Sequence, residues 1–250
     1  MALTKKIVLL AVTVFFALSA FAATSKEVSY RSGDETVHGY LFTPSGNGPF
    51  PALVAIHEWW GLNDWVKEQA SKLADEGYVT LAIDLYRGRV ATTPEEAHEI
   101  MRGVPEDRAA RDLHAAVAFL QSQPNVKKDR LGSIGWCMGG GYSLDIALQE
   151  PTLKAAVINY GHLATDNAAL AKINAPILGL FGGQDKGITP DDVKKFESQM
   201  KALGKKVDIT IYPDAGHAFE NPNNKGGYRM NDASDAWQRT VKFLHANLQK

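Results

Sequence analysis

The chain has a single cysteine, Cys137, in the run Gly-Trp-Cys-Met-Gly-Gly-Gly at residues 135–141. Residues 131–134 are typical of a short apolar strand, and residues 138–148 are typical of a helix. A sharp turn between a strand and a helix needs small neighbours, because a Cβ there would collide with the crossing backbone. The run therefore predicts a strand, a tight turn that carries a thiol, and a helix.

Predicted strands and helices alternate along the rest of the chain. Strands are predicted at residues 26–31, 36–43, 52–57, 78–83, 154–159, 177–181 and 207–212, and helices at 64–76, 105–120 and 234–248 and after Thr93 and Thr189. Continuous apolar strands between amphipathic helices indicate an α/β fold with a mostly parallel central sheet and helices on both faces. In such a sheet, ligands bind at the carboxyl ends of the strands.

Residues 1–22 have the pattern of a secretory signal peptide. Lys5 and Lys6 precede an apolar run at 7–18, and Ala-Phe-Ala at 20–22 fits a cleavage site. The apolar run is short for a membrane span. We expect cleavage after Ala22, a periplasmic or secreted protein without a membrane anchor after cleavage, and one domain over residues 23–250.

Charge and motifs exclude several functions. The formal net charge is −1, which predicts no binding of nucleic acid. No nucleotide-binding glycine motif is present, and no cluster of His, Cys or acidic residues has the spacing of metal ligands, so we expect neither a cofactor nor a metal. We expect a monomer that acts on a small molecule.

A lone cysteine in an exported protein has three interpretations. Cys137 could be an inert buried side chain, half of an intermolecular disulfide, or a reactive thiol. The glycines favour the reactive thiol, because the pattern is the nucleophile elbow of α/β-hydrolases with cysteine in place of serine.

Two further residues complete a predicted catalytic triad. Asp185 and His217 each follow a predicted strand, and the order Cys137, Asp185, His217 is the α/β-hydrolase order. In this interpretation the thiolate attacks, the imidazole moves the proton, and the aspartate orients the imidazole. Asp214 is the rival acid, but it lies in the histidine's own loop.

Glu58 directly follows the strand at 52–57, in the loop that supplies half of an oxyanion hole. We predict that the backbone N–H groups of Trp59 and Met138 form this hole. A carboxylate beside the thiol could keep it protonated or accept its proton. A solvated loop acid without a catalytic role is the alternative interpretation.

Five motifs together resemble the dienelactone hydrolase (carboxymethylenebutenolidase) family, over nearly all of the chain after residue 22. They are Glu-Trp-Trp-Gly at 58–61, Gly-Trp-Cys-Met-Gly-Gly at 135–140, Asn-Tyr-Gly at 159–161, Gly-Gly-Gln-Asp at 182–185 and Gly-His-Ala-Phe at 216–219. The resemblance implies an α/β-hydrolase fold, a Cys-Asp-His triad and cleavage of an ester or enol lactone. It also implies that Glu58 holds the thiol until substrate arrives.

The chain departs from the family at the two arginines that bind a substrate carboxylate in its best-known members. One of these positions is Asn221 here, and the other is Gly88, between Arg87 and Arg89. Aromatic residues near the motifs could line an apolar pocket or belong to the core. The candidate substrate-binding residues are Trp60, Tyr86, Arg87, Arg89 and Tyr160.

A thiol nucleophile also restricts the substrate. A free thiol has a pKa of about 8.5, so a thiolate is a better leaving group than an alkoxide, and its adduct with an alkyl ester tends to revert. We therefore predict activated esters, enol lactones or thioesters as substrates. A non-catalytic thiol sensor or ligand-binding module on a hydrolase scaffold is the alternative function.

Overall fold

A computed structural model describes residues 23–250 of the protein, and the predicted signal peptide lies outside the described residues. Within them the strands are β1 (Thr24–Ser32), β2 (Glu35–Thr43), β3 (Phe50–Ile56), β4 (Val79–Ile83), β5 (Val126–Trp136), β6 (Ala155–Asn159), β7 (Ile177–Gly182) and β8 (Val207–Tyr212). The helices are α1 (Asp64–Asp75), α2 (Pro94–Arg102), α3 (Glu106–Ser122), α4 (Met138–Gln149), α5 (Asn167–Leu170), α6 (Pro190–Ala202) and α7 (Met230–Leu244), and a π-helical turn follows at His245–Gln249.

The strands form one sheet in the order β1-β2-β4-β3-β5-β6-β7-β8. β2 pairs antiparallel with both β1 and β4, and the remaining neighbours are parallel. The prediction of a mostly parallel sheet in an α/β fold is therefore confirmed. A parallel pair needs a crossover connection, which the helices between the strands supply.

Helices cover both faces of the sheet, as the sequence predicted. Along β3, Val54 and Ile56 belong to one buried cluster, whereas Leu53 and Ala55 belong to another. Successive side chains of a strand point to opposite faces, so each face of β3 contacts its own core. This explains why the strand is apolar throughout rather than alternating.

Local capping explains where several helices begin. The side chains of Asn63, Thr93 and Thr189 each accept a hydrogen bond from a backbone N–H in the first turn of α1, α2 and α6. α2 and α6 also begin with proline, which lacks the N–H that the first turn leaves unpaired. None of the helices in the described residues is long and apolar enough to cross a membrane.

Two elements begin four or more residues before their predicted starts, and one was missed. β5 begins at Val126, which pairs with Phe50 of β3, and regular pairing resumes at Leu131 after the charged residues 127–130. α7 begins at Met230 rather than at residue 234. No side chain caps its first turn, so the sequence does not mark where the helix starts. The four-residue α5 has too few residues for a helical pattern to be visible in the sequence.

The topology places five strand ends side by side. β3, β5, β6, β7 and β8 are parallel neighbours, so their carboxyl ends lie along one edge of the sheet. The residues that follow them include Glu58, Cys137, Tyr160, Asp185 and His217. The fold therefore gathers the predicted catalytic residues at the edge where α/β sheets bind ligands.

Candidate active site

Cys137 occupies a strained turn between β5 and α4. Its φ is 56° and its ψ is −118°, a conformation that side chains with a Cβ rarely adopt. A Cβ on Gly135 would lie 1.9 Å from the carbonyl oxygen of Gly139, and one on Gly139 would lie 2.2 Å from that of Ile56. The flanking glycines are therefore required by contact between backbones, and the strain marks a position held for function.

The three predicted triad residues form one chain of contacts. His217 Nε2 lies 3.1 Å from Cys137 Sγ, and His217 Nδ1 lies 2.6 Å from Asp185 Oδ2. The Asp185 side chain is only 2% exposed, and its Oδ1 accepts two hydrogen bonds from backbone N–H groups of its own turn. Asp185, rather than the exposed Asp214, therefore contacts the imidazole.

The charges of the triad reinforce one another. Burial alone lowers the pKa of His217, but the hydrogen bonds with Asp185 and Cys137 outweigh it and raise this pKa to about 10. Burial alone raises the pKa of Asp185, but the hydrogen bonds from His217 and the backbone outweigh it and lower this pKa. An imidazolium is thus favoured beside the sulfur at neutral pH.

In the part of the chain that the structure describes, Glu58 forms no hydrogen bond with the Cys137 sulfur. Its side chain is buried, and its Oε2 accepts a hydrogen bond of 2.6 Å from Asn221 Nδ2. Its Oε1 has no hydrogen-bond partner within the described residues. The family resemblance implies a contact between this glutamate and the thiol. In the structure the Glu58 carboxyl instead accepts a hydrogen bond from Asn221, and the sulfur faces His217.

Burial favours the protonated form of Glu58. Desolvation raises its pKa from 4.5 to about 7, and the hydrogen bond from Asn221 and the charge of His217 oppose this only in part. A carboxyl whose pKa is higher in the folded than in the unfolded state contributes most to stability at pH values below the unfolded pKa. This contribution is lost as the pH rises through the folded pKa. The Glu58 carboxylate therefore destabilises the protein above neutral pH.

We expect Glu58→Gln to stabilise the protein at pH 8. The amide keeps the acceptor for Asn221 and carries no charge, so the free energy of unfolding should exceed the wild-type value by up to about 3 kcal/mol. The gain should shrink to near zero at pH 4.5. Urea unfolding at both pH values measures it, with the exposed Glu27→Gln as the control. An equal gain at both pH values would contradict the prediction.

His57 orients one half of the predicted oxyanion hole. Its Nδ1 lies 2.6 Å from the carbonyl oxygen of Glu58, and its Nε2 accepts from the N–H of Leu85 at 3.2 Å. These contacts require a neutral ring protonated on Nδ1, and burial lowers the pKa of His57 accordingly. The carbonyl and N–H of a trans peptide point in opposite directions, so the Trp59 N–H faces away from His57.

The other predicted donor is the N–H of Met138, the first residue of α4. The first N–H groups of a helix have no acceptor within the helix and attract negative charge. Met138 directly follows Cys137, so this N–H lies beside the carbonyl that the sulfur would attack. The two donors thus come from the loop after β3 and from the start of α4.

A large cavity opens above the sulfur. It has a volume of about 1410 Å³, and Cys137 and His217 both line it. Of the predicted substrate-binding residues, Trp60 and Tyr160 line this cavity, as does Trp59. No group of three or more His, Cys, Asp or Glu side chains that could hold a metal ion is found among residues 23–250.

The structure does not bring Tyr86, Arg87 or Arg89 to this cavity. Arg87 forms a two-pronged ion pair with the buried Asp112, at 2.8 and 3.1 Å, because a buried carboxylate requires a cation partner. Arg89 is more than half exposed. The Tyr86 hydroxyl donates to the sulfur of Met138, beneath the cavity wall.

Two residues that support the site, Asn159 and Glu220, were not predicted from the sequence. The backbone carbonyl of Asn159 accepts a hydrogen bond from the Cys137 N–H, and its side-chain amide donates one to the carbonyl of Gly135. These two bonds join β6 to the turn that carries Cys137. Glu220 accepts a hydrogen bond of 3.3 Å from the indole of Trp136, and burial raises its pKa to about 8. Asn159 belongs to the Asn-Tyr-Gly motif at 159–161, and Glu220 lies three residues after His217, and these were the signals that the sequence offered.

Comparison with known proteins identifies the family. The family model described as "Dienelactone hydrolase family" matches residues 37–248. The chain belongs to the dienelactone hydrolase family. A relative named "Putative carboxymethylenebutenolidase" from Methylorubrum extorquens is 35% identical over 227 residues, which cover 85% of this chain and 78% of the relative.

Two further similar proteins match this chain over nearly all of their own lengths. The "Probable 2-oxo-3-(5-oxofuran-2-ylidene)propanoate lactonase" of a Bradyrhizobium species is 32% identical over 88% of this chain and 94% of its own. A solved structure titled "Putative Dienelactone Hydrolase" from Klebsiella pneumoniae is 28% identical, with a TM-score of 0.82 over 90% of this chain and 99% of its own. The protein is therefore an α/β-hydrolase that acts on esters or lactones.

Proposed function

We propose that the protein hydrolyses activated esters or enol lactones through a thioester on Cys137. The observation that carries the proposal is the contact of 3.1 Å between Cys137 Sγ and His217 Nε2, on a histidine that Asp185 holds by its other nitrogen. Nucleophile, base and orienting acid in contact are the features of nucleophilic catalysis.

The first half-reaction forms the thioester. The Cys137 thiolate attacks the carbonyl carbon, a C–S bond forms, and the carbonyl oxygen becomes an oxyanion beside the N–H groups of Trp59 and Met138. When this intermediate collapses, the bond from carbon to the leaving oxygen breaks. The proton of the His217 imidazolium goes to that oxygen, and the alcohol or enol departs.

The second half-reaction regenerates the thiolate. Neutral His217 removes a proton from water, and the resulting hydroxide attacks the thioester carbon. A second oxyanion collapses, the C–S bond breaks, and the acid product leaves. Cys137 is again a thiolate beside an imidazolium, because the proton from water remains on His217.

The leaving group decides whether the first half-reaction proceeds. A thiolate departs from the first intermediate more readily than an alkoxide does, so ethyl esters mostly revert, whereas phenolate and enolate leaving groups compete successfully.

Intact-protein mass spectrometry after brief mixing tests the proposal. We expect p-nitrophenyl acetate to add one acetyl group to the wild-type protein, and Cys137→Ala to remain unmodified. Ethyl acetate should give no labelling in the same time, and His217→Ala should label far more slowly than wild type. Labelling that is unchanged in His217→Ala would instead favour the alternative function, a reactive thiol in a sensor or binding module.

A further inference from the structure

The walls of the cavity above Cys137 are mostly apolar. They include the indole rings of Trp59 and Trp60 and the side chains of Met101, Leu144 and Ile188. These residues come from the loop after β3, from α2, from α4 and from the loop after β7, so the apolar surface surrounds the sulfur on several sides. A ligand body placed there exchanges water for hydrocarbon contact.

The charges at the cavity wall are unfavourable for an anion. Glu58 and Asp145 contribute carboxyl groups, and burial raises the pKa of both. Among the residues that the structure describes, Lys225 is the only lysine or arginine in the lining, and it is solvent-exposed. An exposed ammonium gives an ion pair little strength, because water screens it.

The histidines of the lining do not change this balance. His217 already faces Asp185 and the sulfur, and the His98 ring packs edge-on against the ring of Trp59 at 4.8 Å. His162 lies beside Asp145, whose pKa it lowers against the larger effect of burial. His98 and His162 are solvent-exposed, so water screens any charge that they carry.

The arginines that could bind a carboxylate are engaged elsewhere. Arg87 is held by Asp112 and Glu35, and it lines a separate, smaller hollow together with Arg89. Asn221, which lies in the cavity lining, presents an amide that is already hydrogen-bonded to Glu58. A substrate carboxylate in this cavity would find no buried lysine or arginine in the described lining, and the His217 imidazole is already held by Asp185, so its burial is strongly unfavourable.

We propose that the substrate places an uncharged, predominantly apolar body in this cavity, so that the enzyme selects neutral hydrophobic esters or lactones against those with a carboxylate. The inference rests on the proposed function, because it concerns the substrate of the same site. The volume of about 1410 Å³ exceeds that of typical small-ligand pockets, which fits an extended hydrocarbon chain or several rings.

A matched pair of substrates tests the proposal. p-Nitrophenyl octanoate and mono-p-nitrophenyl suberate have chains of equal length and the same leaving group, and differ only in a terminal methyl or carboxylate. We expect kcat/KM to be about 10²-fold higher for the octanoate. It should also exceed that for p-nitrophenyl acetate, because each buried methylene favours binding. Equal or faster reaction of the suberate would overturn the proposal.

A cation placed in the apolar wall should reverse part of this preference. Met101→Lys adds an ammonium to the lining, whereas Met230→Lys adds one at an exposed position outside it. We expect Met101→Lys to narrow the ratio of kcat/KM for the octanoate to kcat/KM for the suberate about tenfold or more. Met230→Lys should leave the ratio unchanged. A ratio that both variants change equally would contradict the assignment of this cavity.

A binding measurement separates this proposal from the proposed function. Calorimetric titration of Cys137→Ala with methyl octanoate and with monomethyl suberate needs no chemical step. Tighter binding of the octanoate supports the neutral cavity even if no thioester ever forms. Tighter binding of the suberate refutes the neutral cavity and leaves the thioester mechanism intact.

Discussion

Cys137→Ala is expected to lower kcat/KM for p-nitrophenyl acetate by about 10⁴-fold or more, since removal of a triad nucleophile leaves only the oxyanion hole and substrate binding. Steady-state release of p-nitrophenolate measures the effect. Alanine retains the Cβ at the strained φ of 56°, so the elbow should keep its conformation. The thermal unfolding midpoint should therefore stay close to that of wild type.

Cys137→Ser provides the matched control for this substitution. Serine keeps a nucleophile within reach of His217, so its kcat/KM should lie between those of wild type and Cys137→Ala. Serine should also abolish alkylation by iodoacetamide, because the chain has no other cysteine. If Cys137→Ala retained more than about a tenth of wild-type activity, the nucleophile would have to be sought elsewhere.

Asp185→Asn is expected to lower kcat by about 10³- to 10⁴-fold with a small change in KM. An asparagine can turn an NH₂ group toward His217 Nδ1 and thereby favour the tautomer that cannot accept a proton from the thiol or water. Asparagine also removes the carboxylate charge that helps to raise the pKa of His217. The pH dependence of kcat should shift to lower pH as a result.

Asp214→Asn is the control for Asp185→Asn. Asp214 lies in the same loop as His217 but is exposed and makes no side-chain contact with the imidazole. We expect its kcat to stay within about twofold of the wild-type value, because exposed charges contribute little. Comparable losses in the two variants would refute the assignment of Asp185 as the orienting acid.

Much of the fold could be predicted from local patterns. The buried strands β3, β4, β6 and β7 consist almost wholly of apolar residues, and threonine and proline mark the starts of α2 and α6. Bounds were missed where the local signal is absent. β5 begins at Val126 because that residue pairs with Phe50 of β3, a contact between strands that are distant in sequence.

The candidate triad could also be located, because parallel strands bring their carboxyl ends together. Cys137 and His217 are 80 residues apart, and Asp185 and His217 are 32 residues apart, yet each follows a strand of the same sheet. Their order and their positions after strands are local properties of the sequence. No such rule predicts the contacts of residues outside the triad.

The sequence by itself determined the sheet, the elbow with its glycines, and the order of nucleophile, acid and base. Only the tertiary structure decided that Glu58 contacts Asn221, 163 residues away, and that Arg87 contacts Asp112 instead of a ligand. Periodicity and backbone sterics act over a few residues, so they can be read along the chain. A side chain's partner depends on which groups the packed elements place beside it, and on the cost of leaving a buried charge unpaired.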